Sequence, residues 1–160
     1  MAELKFSKLK LKVDKSVKTI PITSADGEVF EIEVLQYLPL EDKIKIVTST
    51  VNGAVVKGIV REELLNAIFV NEVIQAYTNL SFTEKMLANQ ISLYDILESN
   101  DITVEVIDAM EKIELEELKR YIKSYSEQLQ KALVASTTGY QAQVEALKGL
   151  VGNVVDKVSE

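Results

Sequence analysis

A stripe of apolar and aromatic residues in the last third of the chain constrains the fold more than any other feature. Its members recur at every third or fourth position, which is the spacing of one face of an α-helix. The stripe consists of Leu115, Leu118, Ile122, Tyr125, Leu129, Leu133, Ser136, Tyr140, Val144, Leu147, Val151, Val154 and Val158, of which only Ser136 is polar. The pattern predicts a long helical segment over residues 114–158.

The tetrapeptide Ser136 to Gly139, STTG, interrupts this stripe with residues of low helix propensity. Two structures are therefore open, a single long helix or a helical hairpin that turns at this point. A stripe so narrow packs either on the rest of its own chain or against a helix of another polypeptide. In the second case the protein-interaction residues are Tyr121, Tyr125, Leu129, Leu133, Tyr140, Val144, Leu147, Val151, Val154 and Val155.

Three missing residue types restrict the chemistry of this 160-residue chain, which has no His, no Cys and no Trp. Without His and Cys it cannot form a Ser-His-Asp triad, a cysteine nucleophile, a disulfide, or a thiolate or imidazole zinc site. Its acidic clusters, such as Glu62-Glu63, lack the loop pattern of a calcium site. We therefore expect no catalytic, metal or cofactor site, and a protein that is not an enzyme.

Charge is unevenly distributed along the chain, whose net charge is −7. Residues 1–20 carry six Lys against Glu3 and Asp14, which is a net charge of +4. This basic segment either seeks an acidic partner or forms the solvated side of an edge strand, where Lys prevents aggregation. The negative charge of the whole chain argues against nucleic-acid binding.

No segment is apolar enough to cross a membrane. The longest run without Asp, Glu, Lys or Arg is Ala132–Val144, which is shorter than the ~20 residues that a spanning helix needs. The first residues also lack the apolar core of a signal peptide. We therefore expect a cytoplasmic protein that does not bind a membrane.

The N-terminal part is rich in β-strand patterns. Apolar and Lys residues alternate from Leu9 to Val13, which predicts a half-buried strand within residues 4–13. Two further strands are expected at 17–23 and 29–35.

The turn between these two strands contains Asp26-Gly27, a dipeptide typical of a type I′ hairpin turn. Pro21 cannot donate a hydrogen bond to a neighbouring strand, so its strand should lie at a sheet edge or carry a bulge. The residues expected on the buried face of the second strand are Phe30, Ile32 and Val34.

Residues 39–112 are predicted to form a helical body. Pro39 suits the first turn of a helix that Asn52-Gly53 would end, and a loop or short strand pair is expected over 52–59. The apolar face expected for this helix is Leu40, Ile44, Val47 and Val51.

Further helices are expected in the body at 60–77, 83–90, 91–99 and 102–112, and the second and third of these are open to being one kinked element. Ser81 and Glu84 match a capping box, and Asp101 suits the cap of the last helix. The predicted fold class is α+β and mostly α-helical, with a small N-terminal antiparallel β-hairpin or sheet, a helical body and a long C-terminal helix or helical hairpin. We expect a single domain over 1–160, divided into a β-rich part (1–36), the helical body (39–112) and the C-terminal segment (114–158).

Three segments of the body resemble a known group of proteins when they are taken together and in order. They are QYLPLEDK at residues 36–43, AYTNLSFTEK at 76–85 and LYDILESN at 93–100. The chain resembles small proteins encoded in the structural-gene region of phages and prophages of Gram-positive bacteria, some of which are tail assembly chaperones. The resemblance covers roughly residues 17–125.

The resemblance implies a non-enzymatic protein of phage morphogenesis. A tail assembly chaperone would bind the helical tape measure protein or other tail or head proteins in the host cytoplasm, and the chain would form a homo-oligomer. A permanent virion protein of the neck, connector or capsid, and a small acidic inhibitor of a host system, are the alternatives.

Overall fold

The computed structural model describes residues 3–158, apart from the side chains of 138–140, 142–143, 146 and 149–158. Within these residues, four strands and six α-helices follow a short 3-10 turn at Phe6–Leu9. In chain order they are β1 (Val17–Thr23), β2 (Val29–Leu35), α1 (Leu40–Gly53), β3 (Val55–Val56), β4 (Ile59–Val60), α2 (Glu62–Tyr77), α3 (Glu84–Leu87), α4 (Gln90–Ser99), α5 (Ile102–Ala109) and α6 (Lys112–Val158). The predicted fold class is confirmed: the chain is mostly helical, with a small antiparallel sheet near its N-terminus and a long C-terminal helix.

Strands β1 and β2 pair antiparallel along the whole length of both strands, at the predicted limits. Ile32 and Val34 are buried on the predicted face, together with Ile20 of β1. Phe30, which was predicted on the same buried face, lies next to the turn and is 54% exposed. The hairpin therefore contributes to the core mainly through the half that is distant from its turn.

Pro21 lies where the hairpin tolerates it. The Gln36 N–H donates to the Ser16 carbonyl (3.0 Å), and the Ser24 N–H donates to the Glu28 carbonyl (2.7 Å). Hydrogen-bonded pairs alternate along an antiparallel ladder, so the backbone of Pro21 faces away from β2. The predicted edge position is confirmed, because β2 is the only neighbour of β1 among the described residues.

The turn of this hairpin differs from the prediction. The Gly27 N–H donates to the Ser24 carbonyl (2.9 Å), and φ is +84° at Gly27 but is not positive at Asp26. The predicted type I′ turn is wrong, because that turn needs positive φ at both central residues. The connection is a three-residue loop, in which a type I turn ends on a glycine in the left-handed region.

The strand predicted within residues 4–13 is wrong. This segment contains only the 3-10 turn Phe6–Leu9, Lys10 has φ of 50°, and its side chains are exposed. A strand forms only where a neighbour supplies its backbone hydrogen bonds, and none of the described strands pairs with this segment.

The short helices of the body begin near their predicted positions but use other caps. The capping box predicted at Ser81 is wrong, because the Thr83 hydroxyl accepts the Met86 N–H (3.3 Å) at the start of α3. Asn89 caps α4 by accepting the Ser92 N–H (3.1 Å). Asp101 does precede α5, although its side chain makes no capping hydrogen bond.

The ends of other helices differ from the predicted ends by one helical turn or less. Helix α2 begins at Glu62 rather than at residue 60, and α5 ends at Ala109 rather than at residue 112. Of the two structures predicted over 52–59, the short strand pair forms as β3 and β4.

The buried face of α1 is rotated from the predicted one. Val47 and Val51 are buried as expected, but Leu40 and Ile44 are 52% and 53% exposed. The other residues that α1 buries are Lys43, Ile46 and Thr50. A charged side chain therefore occupies part of the interior face, and two large apolar side chains of the same helix are left at the surface.

The core lies between the β1–β2 hairpin and the helices α1, α2, α4, α5 and the first part of α6. Helix α2 lies at its centre, since eight of its 16 residues are buried. The largest fully buried side chains are Tyr77, Ile74, Leu93 and Leu118.

Helix α6 runs without a break from Lys112 to Val158, so the C-terminal segment is one helix and not a hairpin. At 1.5 Å per residue, its 47 residues extend over about 70 Å. Among the described side chains of the apolar stripe, only those at its beginning lie in the core, where Leu118 and Ile122 are buried. Leu115, Tyr125 and Leu129 pack partly buried against the core.

Within the described ranges, no helix combines the length and the apolar character that crossing a membrane requires.

Replacing Gly27 tests the hairpin loop. Gly27→Val should destabilise the protein by about 1–2 kcal/mol, because a left-handed backbone is strained for a β-branched residue. For a chain of this size that corresponds to a fall in Tm of roughly 2–8 °C, measured by circular dichroism. Gly27→Asn is the matched control and should retain more of the stability, because Asn tolerates positive φ. Equal Tm values for wild type and Gly27→Val would contradict the left-handed backbone at Gly27.

Candidate functional site

The start of α6 is held on the body by a buried carboxylate. Glu114 Oε1 accepts a hydrogen bond from Lys43 Nζ (2.8 Å), and Oε2 accepts from the Tyr77 hydroxyl (2.9 Å) and the Leu38 N–H (3.0 Å). These donors come from α1, from α2 and from the segment before α1. One side chain of α6 therefore ties together three parts of the body.

A second carboxylate extends this network towards the surface. Lys43 Nζ also donates to Glu117 Oε2 (2.8 Å), and the Tyr121 hydroxyl donates to Glu117 Oε1 (2.7 Å). Lys43 is only 3% exposed and lies over the ring of Tyr37, 4.8 Å from its centroid. Two acids and one base thus share the junction. The carboxylate oxygens that Lys43 does not reach accept hydrogen bonds from neutral hydroxyl and amide donors.

The surroundings shift the pKa values of three of these groups. Burial alone would lower the pKa of Lys43, but its hydrogen bonds to Glu114 and Glu117 outweigh burial and raise that pKa. Burial and the hydrogen bond to Glu114 raise the pKa of Tyr77. The hydrogen bonds from Lys43 and Tyr121 lower the pKa of Glu117. All three groups therefore stay in their usual protonation states near neutral pH.

The junction has the properties of a structural tie rather than of a reactive site. Both oxygens of Glu114 and both of Glu117 already accept hydrogen bonds from the chain. In the described part of the chain, no group of three or more acidic side chains is placed to hold a metal ion.

The exposed side of the junction opens into an apolar groove between α1 and α6, which we name the Tyr groove. It has a volume of about 370 Å³. Its lining residues are Leu40, Ile44, Val47, Thr48, Tyr121, Ser124, Tyr125 and Gln128. Tyr121 and Tyr125, both predicted as interaction residues, therefore lie beside the two exposed apolar residues of α1.

A second groove follows the opposite side of α6, against α2, with a volume of about 480 Å³. Phe69 and Leu65 give it an apolar floor, whereas Lys119, Lys123 and Glu127 line it with charge. Its lining is more polar than that of the Tyr groove, so the Tyr groove is the better surface for an apolar partner.

The distal part of α6, defined as residues 131–158, follows the last hydrogen bond described between α6 and the body. Gln130 Oε1 accepts the Val60 N–H (3.0 Å) there, and none of the described side chains after Gln130 is buried. Among the predicted interaction residues of this part, Leu133 and Val144 are half-buried and Leu147 is 60% exposed. The side chains of four others, Tyr140, Val151, Val154 and Val155, lie outside the described residues.

Leu40 and Ile44 were missed as surface residues by the sequence reasoning. Their spacing with Val47 and Val51 predicts a buried face, and the pattern alone does not show which edge of that face meets solvent. Lys43 was missed as well, because a Lys in an amphipathic helix is ordinarily solvated. A usable signal was the pair of acids Glu114 and Glu117, three residues apart on one helix face, which can receive one cation.

Breaking the buried junction should unfold the chain more easily. Lys43→Met should lower the free energy of unfolding by about 3–5 kcal/mol, because it leaves the Glu114 carboxylate buried without its cation. Adding Glu114→Gln removes that charge. The double variant should therefore lose less unfolding free energy than the sum of the losses in the two single variants. Urea denaturation of all four proteins measures this coupling, and strictly additive losses would show that the two side chains do not interact.

Acid should weaken the contribution of Glu117. Because its pKa is lower in the folded chain than the ordinary 4.5, the unfolded chain binds the proton more readily. The stability from Glu117 is therefore present above about pH 4.5 and is lost as pH falls through the lowered pKa. Glu117→Gln should flatten the fall in unfolding free energy between about pH 5 and 3; the exposed Glu98→Gln, on α4, should leave it unchanged. Identical pH profiles for wild type and Glu117→Gln would contradict the shift.

Comparisons of the chain with protein-family models, with curated proteins and with solved structures find no match.

Proposed function

We propose that this chain is a non-enzymatic phage assembly protein, most simply a tail assembly chaperone, that binds a helical segment of another phage protein such as the tape measure protein. The Tyr groove is the observation that supports this proposal. It is an apolar channel between two helices, and its walls include side chains that a folded chain would otherwise bury.

The spacing of the groove residues suits a helical partner. Leu40 and Ile44 lie one turn apart on α1, and Tyr121 and Tyr125 lie one turn apart on α6. An amphipathic helix presents its own anchors at the same interval, so its apolar face can lie along such a channel. Tyr also favours interfaces because its ring is apolar and its hydroxyl is not.

The distal part of α6 would lengthen this surface. Residues 131–158 extend about 42 Å past the last described hydrogen bond between α6 and the body. A helix that leaves the body presents both sides to a partner, and Leu147 shows that apolar side chains are exposed there. A long helical client could be covered over a correspondingly long distance.

The use of the buried charges agrees with a binding role. Lys43 and Glu114 are the buried charged residues of the described chain, and they hold α6 in place by pairing with each other. Their hydrogen bonds position the groove and leave neither side chain directed at an external molecule.

A permanent virion protein of the neck, connector or capsid is the second candidate. The length of α6 favours it, because a helix of about 70 Å could join neighbouring subunits of a particle. Mass spectrometry of purified particles separates the two candidates. A chaperone should be absent from them, and a structural subunit should be present in fixed stoichiometry.

A charge placed in the Tyr groove should abolish client binding. Ile44→Glu should weaken the binding of a co-expressed phage tail protein by at least about tenfold, which is 1.4 kcal/mol, because a carboxylate would be desolvated at the interface. Ile96→Glu on α4 is the matched control, since Ile96 is 47% exposed, and it should bind as wild type does. Affinity is measured by co-purification and then by calorimetry; equal weakening by both variants, or by neither, would contradict the groove as the binding surface.

A further inference from the structure

The N-terminal arm, defined here as residues 4–13, leaves its apolar side chains at the surface. Leu4, Phe6, Leu9, Leu11 and Val13 are all exposed. Apolar residues alternate with Lys10 and Lys12 in the second half of the arm, which is the period of a β-strand. The arm therefore has the sequence of an amphipathic strand, but none of the strands in the described ranges lies beside it.

In the part of the chain that the structure describes, the outer edge of β1 has no strand partner. Along β1, residues whose backbone bonds to β2 alternate with residues whose backbone faces away from β2. Thr19 and Thr23 belong to the second set, so their N–H and C=O groups point to the outer edge. No backbone hydrogen bond of the described residues reaches this edge. The outer edge of β2 is partly closed, because Val34 bridges to Thr78 and the Glu33 N–H donates to Asn79 Oδ1 (3.1 Å).

The two faces of the hairpin match the two faces of the arm. Ile22 and Phe30 pair on the face directed to the core, and they are only partly covered. Glu31 and Glu33 lie exposed on the other face, opposite Pro21 and Thr19. A strand added beside β1 would place Leu9, Leu11 and Val13 next to the first face, and Lys10 and Lys12 on the side of the two acids.

The arm of the same chain does not occupy this edge. The Asp14 carboxylate accepts the Ser16 N–H (2.8 Å), which is an Asx turn just before β1, and Ser16 pairs with Gln36. Phe6 and Leu11 lie near Tyr37, beyond the end of the hairpin that is opposite its turn. While the arm keeps these contacts, a strand beside β1 must come from another molecule.

We propose that the N-terminal arm of one chain adds as a third strand to the outer edge of β1 of a second copy. Five arm residues, 9–13, would extend over about 17 Å of the roughly 23 Å length of β1. Pro21 offers this strand a carbonyl but no N–H, so the pairing depends on the residues on both sides of it. Reciprocal exchange of the two arms would give a symmetric dimer, and this proposal is independent of the proposed function.

Cross-linking tests the position of the arm directly, because the chain has no cysteine of its own. A Lys12→Cys chain and a Thr19→Cys chain of different mass are mixed and treated with a short bis-maleimide, because both side chains would lie on the face that carries Glu31 and Glu33. The expected result is a covalent dimer that contains one chain of each kind. Glu98→Cys, at the end of α4, is the control that should not cross-link to Lys12→Cys. Failure to cross-link, or cross-linking only within a chain that carries both substitutions, would overturn the proposal.

Charge reversal tests the pairing of the two faces. Lys10→Glu with Lys12→Glu should weaken the dimer at least tenfold, measured by light scattering over a dilution series. Glu31→Lys with Glu33→Lys should restore the dimer when it is combined with the first pair. A monomeric wild type, or a dimer that neither pair of substitutions alters, would overturn the proposal.

Discussion

Glu114 places a carboxylate inside the protein, where the loss of hydration must be offset by close donors. Lys43, Tyr77 and the Leu38 N–H provide them, and each belongs to a different part of the body. The position of α6 depends on this interaction, because an apolar stripe alone permits a helix to slide or rotate by one turn. A charged contact with three fixed donors has a single geometry, so the first turns of α6 are held in one register.

This register determines the surface on both sides of α6. Because Glu117 and Tyr121 follow Glu114 on the same side of the helix, the network leads from the interior to the Tyr groove. Lys43 in turn occupies the interior face of α1, which leaves Leu40 and Ile44 beside that groove. The buried charges and the exposed apolar residues are thus consequences of the same rotation of α1.

The arm and the distal part of α6 lie at two different places on the molecule. Both have amphipathic sequences with exposed apolar residues, one with the period of a strand and one with the period of a helix. Burial of apolar surface is the main favourable term in association. The exposed apolar residues of the two segments therefore support the proposals that the chain binds a second copy of itself and a helical client.

Local sequence determined the elements whose patterns are strong and whose partners are close in the chain: the limits of β1 and β2, the starts of α4 and α5 to within one residue, and the helical character of residues 112–158. It also led to the prediction that Tyr121 and Tyr125 are protein-interaction residues, and the structure places both in the Tyr groove. Only the tertiary structure decided the turn at Gly27, the absence of a strand at 4–13, and the burial of Lys43 against Glu114. The physical reason is the distance between partners. A strand needs a neighbour, and a buried charge needs a counter-charge, and here the ion pair joins residues 71 positions apart. Periodicity within one segment carries no information about such a partner.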